Sequence, residues 1–255
     1  MEIYKSFSVV YDDFMDNVPY ETWGKHIREI LLEYGIKDGL ILDLGCGTGT
    51  MTEILAGYGY DMIGLDNSVE MLEIAREKQI KSSLDILYLQ QDMSSFELYG
   101  TVRAIVCLCD SLNYITRIED LAKMFHWVDF YLDPKGLFIF DFNTAYKYKY
   151  VLGNQIIAEN RVDKSFIWEN YYHEKEKINE IELTLFIAET HERQGLLFRK
   201  HEEVHYQRAY EWMEIKTLLE EKGLEAQGVF DGYSKKKATS KSERVLGIAR
   251  EQKKE

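Results

Sequence analysis

Between Asp43 and Thr50 the chain reads DLGCGTGT, which puts Gly45, Gly47 and Gly49 on alternate positions. Backbone without Cβ atoms can turn sharply, take up positive φ and approach a ligand closely, so this run suits the cradling of a small molecule. Acidic residues stand at or near the ends of four apolar runs: Asp43 in ILDL, Asp66 after MIGL, Asp92 after LYLQQ and Asp110 after IVCLC. Carboxylates accept hydrogen bonds from hydroxyl and amine donors. Ser111, Asn113 and Tyr114 follow Asp110 closely, and His205 lies with Tyr206 and Arg208 much later in the chain. A histidine near a pocket is a candidate general base, as is Asp110.

These residues need elements to position them. Ile41, Leu42 and Leu44 read as a short buried strand, and Met51, Ile54 and Leu55 as the apolar face of a helix that starts after the glycines, over about 50–57. Strand, glycine turn and helix together open a nucleotide-binding α/β unit. Further strands are expected at 60–65, 84–89, 102–109 and 136–144, with Ser68 capping an intervening helix and another helix at 117–132. Asp133-Pro134-Lys135-Gly136 reads as a turn. In an open parallel sheet ligands lie outside the carboxyl ends of the strands. Asp66, 17 residues after Gly49, is then placed to accept both hydroxyls of a ribose. Asp110, Ser111, Asn113 and Tyr114 fall where two reactants would meet. Over about 154–207 the pattern changes to period-two alternation, which predicts three or four antiparallel strands. Helix and strand then return, with Gly223 as a helix stop and Val245–Ala249 as a final strand. Residues 1–35 supply an apolar set (Val9, Val10, Phe14, Trp23, Ile27, Ile30, Leu31) and an aromatic stretch with Tyr11, Tyr20 and Trp23, either a lid or packing on the sheet.

The dinucleotide fingerprint G-x-G-x-x-G is not met, because its third glycine would fall on Thr50. This disfavours a nicotinamide-dependent oxidoreductase. Asp-Leu-Gly-Cys-Gly-Thr-Gly instead resembles motif I, E/D-x-G-x-G-x-G, of the class I S-adenosylmethionine (SAM)-dependent methyltransferases. The resemblance covers about 36–150 and 208–250. It implies a Rossmann-like, doubly wound, mostly parallel seven-stranded α/β sheet with an antiparallel last strand. It divides the chain into a SAM-binding domain (1–150 and 208–255, with 1–35 as a helical lid) and an inserted antiparallel β subdomain at 151–207, similar to that of small-molecule N-methyltransferases.

The resemblance also implies residue roles. Asp92 would face the adenine amino group, and Met93 would offer a backbone N–H and an apolar contact to the ring. Tyr11-Asp12 resembles an N-terminal segment that covers the cofactor. The expected cofactor-binding residues are Asp43, Gly45, Cys46, Gly47, Gly49, Asp66, Asn67, Gln91, Asp92, Met93, Cys109, Tyr20 and Trp23, and the catalytic candidates are His205, Asp110 and Tyr11. The implied reaction is in-line displacement at the sulfonium methyl, leaving S-adenosylhomocysteine (SAH). Positioning would supply much of the rate, with a base needed for a hydroxyl acceptor.

Composition sets the partners. A net charge of −13 argues against a nucleic-acid backbone, although the stretch 234–255 carries eight Lys/Arg against three Glu. Asn-Pro-Pro-Tyr, Asp-Pro-Pro-Tyr and Pro-Cys motifs for a flipped base are absent. Cys107 and Cys109 alternate on one expected strand and so share a face; with no second cysteine pair or nearby histidine, the three cysteines read as small core residues and no metal is expected. No apolar run approaches the ~20 residues of a membrane span, and the first residues lack signal-peptide character, so a cytoplasmic address is expected. The expected partner is a small-molecule acceptor. The aromatic inserted strands suit either an acceptor site or a homodimer interface. An RNA-modifying methyltransferase and a non-catalytic SAM-binding or assembly protein are the alternatives.

Overall fold

The computed structural model describes residues 7–191 and 195–254. The first six residues of the expected 1–35 lid lie outside the described residues. Two helices, α1 (Ser8–Phe14) and α2 (Tyr20–Glu33), precede β1 (Leu40–Leu44). Then come α3 (Thr50–Gly57), β2 (Asp61–Asp66), α4 (Val69–Ser82), β3 (Ile86–Gln90), β4 (Val102–Cys107), α5 (Ile118–Tyr131) and β5 (Leu132–Asn143). Four strands follow, β6 (Ile156–Asn160), β7 (Lys164–His173), β8 (Ile178–His191) and β9 (Gly195–Arg208). The chain closes with α6 (Trp212–Lys222), β10 (Leu224–Asp231) and β11 (Arg244–Glu251).

One sheet has seven strands in the order β10-β11-β5-β4-β1-β2-β3, and the other has four, β6-β7-β8-β9. Strands β1 to β5 pair in parallel, and β11 runs antiparallel to both β5 and β10. From β1 the chain winds outward through β2 and β3, then crosses back to β4 on the other side of β1. The carboxyl ends of β1 and β4 therefore flank a topological switch point, where such sheets bind ligands.

The parallel strands are apolar on both faces because helices cover both. Leu42 and Leu44 join Phe125, Phe138, Phe140 and Leu219 on the α5 and α6 side. Ile41 joins Ile27, Leu31, Leu55 and Leu72 on the α2, α3 and α4 side. Local chemistry sets the helix ends. Ser68 Oγ accepts from Met71 N at 3.2 Å and starts α4, and Gly223, at φ 107°, stops α6.

The N-terminal segment divides its packing. Phe7, Val10 and Phe14 form a separate cluster with Leu183 and Leu185, so α1 docks on the four-stranded sheet while α2 packs on the large one. Val9, expected in the apolar set, is 62% exposed. Two strand expectations also change. β4 ends at Cys107, and Cys109 lies beyond it at φ 58°, so the two cysteines do not share a strand face. The 133–136 turn is absorbed into β5 as an irregularity opposite Val102 and Ala104, with Lys135 at φ 63°. Among the described residues no helix is long and apolar enough to cross a membrane.

Candidate active site

A cavity of about 500 Å³ opens at the switch point. Its floor is the glycine turn between β1 and α3. Gly45, Gly47 and Gly49 all have positive φ (72°, 54° and 76°). Gly45 N and Cys46 N both donate to Leu65 O, at 2.7 and 3.0 Å, which ties the turn to the end of β2. A Cβ on Gly45 would come within 2.7 Å of Ser111 Cβ, whereas one on Gly47 would meet nothing within 4 Å. Gly45 thus permits two loops to touch, and Gly47 leaves the turn open to the cavity.

Carboxylates line the floor and one wall. Asp43, only 2% exposed, accepts from Thr52 Oγ1 at 2.7 Å. Burial pushes its carboxyl up to about 7; the Thr52 bond opposes the shift and nearby Asp66 adds to it. Asp66 accepts from Gly47 N and Ser68 N, each at 2.9 Å, and burial raises its carboxyl against those bonds. Asp92 accepts from Ser94 N at 2.7 Å and Ser94 Oγ at 2.6 Å through a single oxygen, Oδ1. Asn67, Gln91, Met93, Cys46, Cys109, Tyr11 and Tyr20 complete the wall, with Ser111 and Tyr114. The Gln91 side chain is bound to the Glu97 backbone, at 2.7 and 3.2 Å, so it shapes the loop around Asp92.

The other end of the cavity is phenolic. Burial raises the Tyr11 phenol well above its ordinary value, and Tyr20, Cys109, Asp110 and Tyr114 add to this. The Tyr20 phenol is raised first by burial, then by Cys109. Burial raises the Cys109 thiol too, with Asp141 adding. Burial thus favours the protonated, neutral form of each of these groups.

The loop that carries Cys109 and Asp110 is held from below. Both residues have positive φ, 58° and 54°, a conformation costly for side-chain-bearing residues. Asp141, fully buried on β5, accepts from Cys109 N at 3.0 Å and from Asp110 N at 2.6 Å. Arg244 bridges the loop to β5, with Nη1 on Asp141 at 2.8 Å and Nη2 on Asp110 at 2.6 Å. The Tyr233 hydroxyl also donates to Asp141.

Known proteins resemble the whole chain. The methyltransferase domain family model matches residues 41–136. YqeM of Bacillus subtilis (strain 168), named as a methyltransferase, is 33% identical over 252 residues, 98% of this chain and 98% of that one. The chain belongs to the SAM-dependent methyltransferases. The crystal structure of such an enzyme from Clostridium acetobutylicum has 31% identity and a TM-score of 0.86, covering 97% of this chain and 98% of that one. CalS10 of Micromonospora echinaspora, an amino pentose methyltransferase solved with SAM bound, shares the fold at 16% identity, with a TM-score of 0.76 over 95% of this chain and 97% of that one.

Within this methyltransferase the expected site residues fall into two groups. Asp43, Gly45, Cys46, Gly47, Asp66, Asn67, Gln91, Asp92, Met93, Cys109, Tyr11 and Tyr20 converge on the cavity. Four others stand outside its wall. Trp23 stacks on Tyr233, centroids 4.1 Å apart, beneath the Arg244 guanidinium. Gly49 instead lets α3 approach Tyr88 and Ala75. Asp110 has its oxygens engaged by Arg244 and by Gln207 Nε2 at 2.8 Å, which removes it as a free base. His205 is buried behind Tyr114. Asn113, expected to face a reactant, is buried and spans Asn143 O and Arg208 O, at 3.0 and 2.8 Å, as a bracket between the two sheets.

Sequence reasoning missed Asp141, Arg244, Thr48 and Lys78. Asp141 carried a signal, a charged residue inside the apolar run LFIFDFN. Thr48 Oγ1 donates to Asp12 Oδ1 at 2.6 Å and Lys78 Nζ reaches Asp12 Oδ2 at 2.9 Å, which latches α1 over the glycine turn. Among the described residues no group of three or more His, Cys, Asp or Glu is placed to hold a metal ion.

Proposed function

We propose that this enzyme methylates a small molecule through an amine or hydroxyl, with SAM held along the acidic floor of the cavity. The observation that carries the reading is geometric: Asp43, Asp66 and Asp92 line one cavity together with the positive-φ glycine turn. SAM fits that acceptor set: it carries two positive charges, two ribose hydroxyls and an adenine amine. Asp43 would meet the positively charged methionine portion, Asp66 the ribose hydroxyls, Asp92 and Met93 the adenine edge, and Gly47 would let the backbone approach. Bound SAM supplies a methyl group already activated by its sulfonium charge.

The chain itself contributes positioning. Tyr11, Tyr20, Cys109 and Tyr114 surround the opposite end, and Asp12 pins α1 over the glycine turn. Such enclosure excludes water and aligns an acceptor, which is worth up to ~7–11 kcal/mol of barrier. The enclosed phenolic end and the acidic chain support a small acceptor over a polynucleotide, and the amino pentose enzyme of the same fold supports the amine class. Ile156, Ile167, Tyr171 and Tyr206, exposed on the four-stranded sheet, support a second copy as a further partner, which sedimentation velocity tests.

Thermal unfolding with SAM, SAH or NAD tests the cofactor. Ligand at 100 times its dissociation constant adds ~2.7 kcal/mol, roughly 5 °C or more at this size. A shift with SAM and SAH but not NAD is expected. Radiolabelled methyl transfer to a panel of amino sugars and phenols then tests the acceptor class.

A further inference from the structure

Behind the cavity wall a line of polar side chains runs into the turn that carries Cys109 and Asp110. Tyr148, fully buried on the short helical turn Lys147–Leu152, donates its hydroxyl to Gln207 Oε1 at 3.0 Å. Gln207, buried near the end of β9, donates from Nε2 to Asp110 Oδ2 at 2.8 Å. Arg244 holds the other Asp110 oxygen and reaches Asp141, which accepts from the Cys109 and Asp110 backbone N–H groups. The next residue of β9 adds a second grip, because Arg208 O accepts from Asn113 Nδ2 at 2.8 Å. Consecutive β9 residues thus clasp the turn at Asp110 and at Asn113. Cys109, Ser111 and Tyr114 of that turn line the cavity, whereas Tyr148 and Gln207 stand behind it.

We propose that Tyr148 and Gln207 are positioning residues for methyl transfer: through Asp110 they hold the Cys109 turn against the cavity, so the four-stranded sheet sets the shape of the acceptor end. The inference rests on the placement of the acceptor at that end and deepens it. Chemistry fixes the direction of each bond. A carboxylate paired with a guanidinium only accepts, so Gln207 must turn its NH2 group to Asp110. Its carbonyl then faces Tyr148, whose hydroxyl donates. Burial, with Asp110 adding, raises the Tyr148 phenol well above its ordinary value, which favours the protonated hydroxyl.

The turn needs this support. Cys109 and Asp110 both have positive φ, and such residues persist only where their surroundings over-determine them. Asp141 and Arg244 hold the backbone and one Asp110 oxygen from the seven-stranded sheet. Gln207 holds the second oxygen from the four-stranded sheet. With leucine in its place, Asp110 keeps Arg244 and loses its hold from β9. With phenylalanine at 148, the Gln207 amide loses the contact that fixes its orientation. The two residues act in series, so removing both should do no more than removing Gln207 alone.

The three cysteines serve as reporters. Cys109 lies on the turn, Cys46 lines the cavity from the glycine turn, and Cys107 is fully buried in β4. Full-length wild type, Tyr148→Phe, Gln207→Leu and the double variant are alkylated with iodoacetamide, and each thiol is followed by tandem mass spectrometry. Cys109 should react roughly fivefold faster or more in Gln207→Leu and several-fold faster in Tyr148→Phe, with Cys46 and Cys107 unchanged and the double variant equal to Gln207→Leu. Cys107 and Cys109 rising together in Tyr148→Phe, or Cys109 unchanged in both single variants, would overturn the positioning role. Tyr148→Phe, which removes a single oxygen atom, decides the matter where Gln207→Leu loosens the whole fold. The same proteins are then given saturating methyl-labelled SAM and the dialysable fraction of a cell extract. Transfer should fall roughly tenfold or more in Gln207→Leu, with SAH affinity by calorimetry near the wild-type value. Unchanged transfer in both single variants would also overturn the proposal. Wild-type label found only in retained material would contradict the small acceptor, while the cysteine pattern still decides the positioning role.

Discussion

Asp43 and Asp66 face one cavity, yet their surroundings differ. Asp66 is wrapped by backbone N–H groups, whereas Asp43 has a threonine hydroxyl and deep burial. With its folded-state value raised to about 7, Asp43 contributes stability through its bound proton at low pH, and that contribution is lost as pH rises through 7. Unliganded wild-type protein should therefore lose more thermal stability between about pH 5 and pH 8 than Asp43→Asn does. A cationic ligand replaces the proton, so SAM affinity should rise over the same range in the wild type and stay flat in Asp43→Asn, as read by calorimetry. Asp66→Ala removes a charge-assisted contact worth about 1.5–3 kcal/mol in all and should weaken SAM roughly 10- to 100-fold. Equal affinity in wild type and Asp66→Ala would remove the ribose assignment. Asp43 and Asp66 were legible in the sequence because the strand ends and glycine turn around them are local features. Asp110 was mistaken for a free base because its partner Arg244 lies 134 residues away, a separation that no local pattern spans.

At the scale of elements, the Cys109–Asp110 loop keeps its positive φ because Asp141 and Arg244 over-determine it. Asp141→Ala leaves Arg244 without one buried partner and should destabilise the protein by about 3–5 kcal/mol in urea unfolding. The α1 latch is different in kind. Asp12 and Lys78 are partly exposed, so Asp12→Ala should change folding stability by less than about 1 kcal/mol. It should nonetheless speed SAM release several-fold in stopped-flow measurements, because α1 crosses the glycine turn. An unchanged release rate would reduce α1 to packing alone. Helix α3 was readable at about 50–57, since the glycine turn and the apolar face mark its ends, and it spans Thr50 to Gly57. The reach of β8 through Glu189 was not, because charged residues on an exposed hairpin look like a turn when only the sequence is read.

For the whole molecule, alternating strands and helices foretold the parallel sheet, and the change to period two foretold the four-stranded one. The docking of α1 on the second sheet was not visible in advance, because Phe7, Val10 and Phe14 would satisfy any apolar surface. That docking joins the two sheets into one enclosure whose seam holds Glu203, His205 and Tyr114. In the proposed small-molecule reading, this enclosure also limits the size of the acceptor. The most direct measurement of that claim incubates the enzyme with methyl-labelled SAM and a cell extract divided by dialysis. Label should accumulate in the dialysable fraction, and Asp66→Ala should abolish most of it at limiting SAM. Label confined to retained RNA or protein would contradict a small-molecule acceptor.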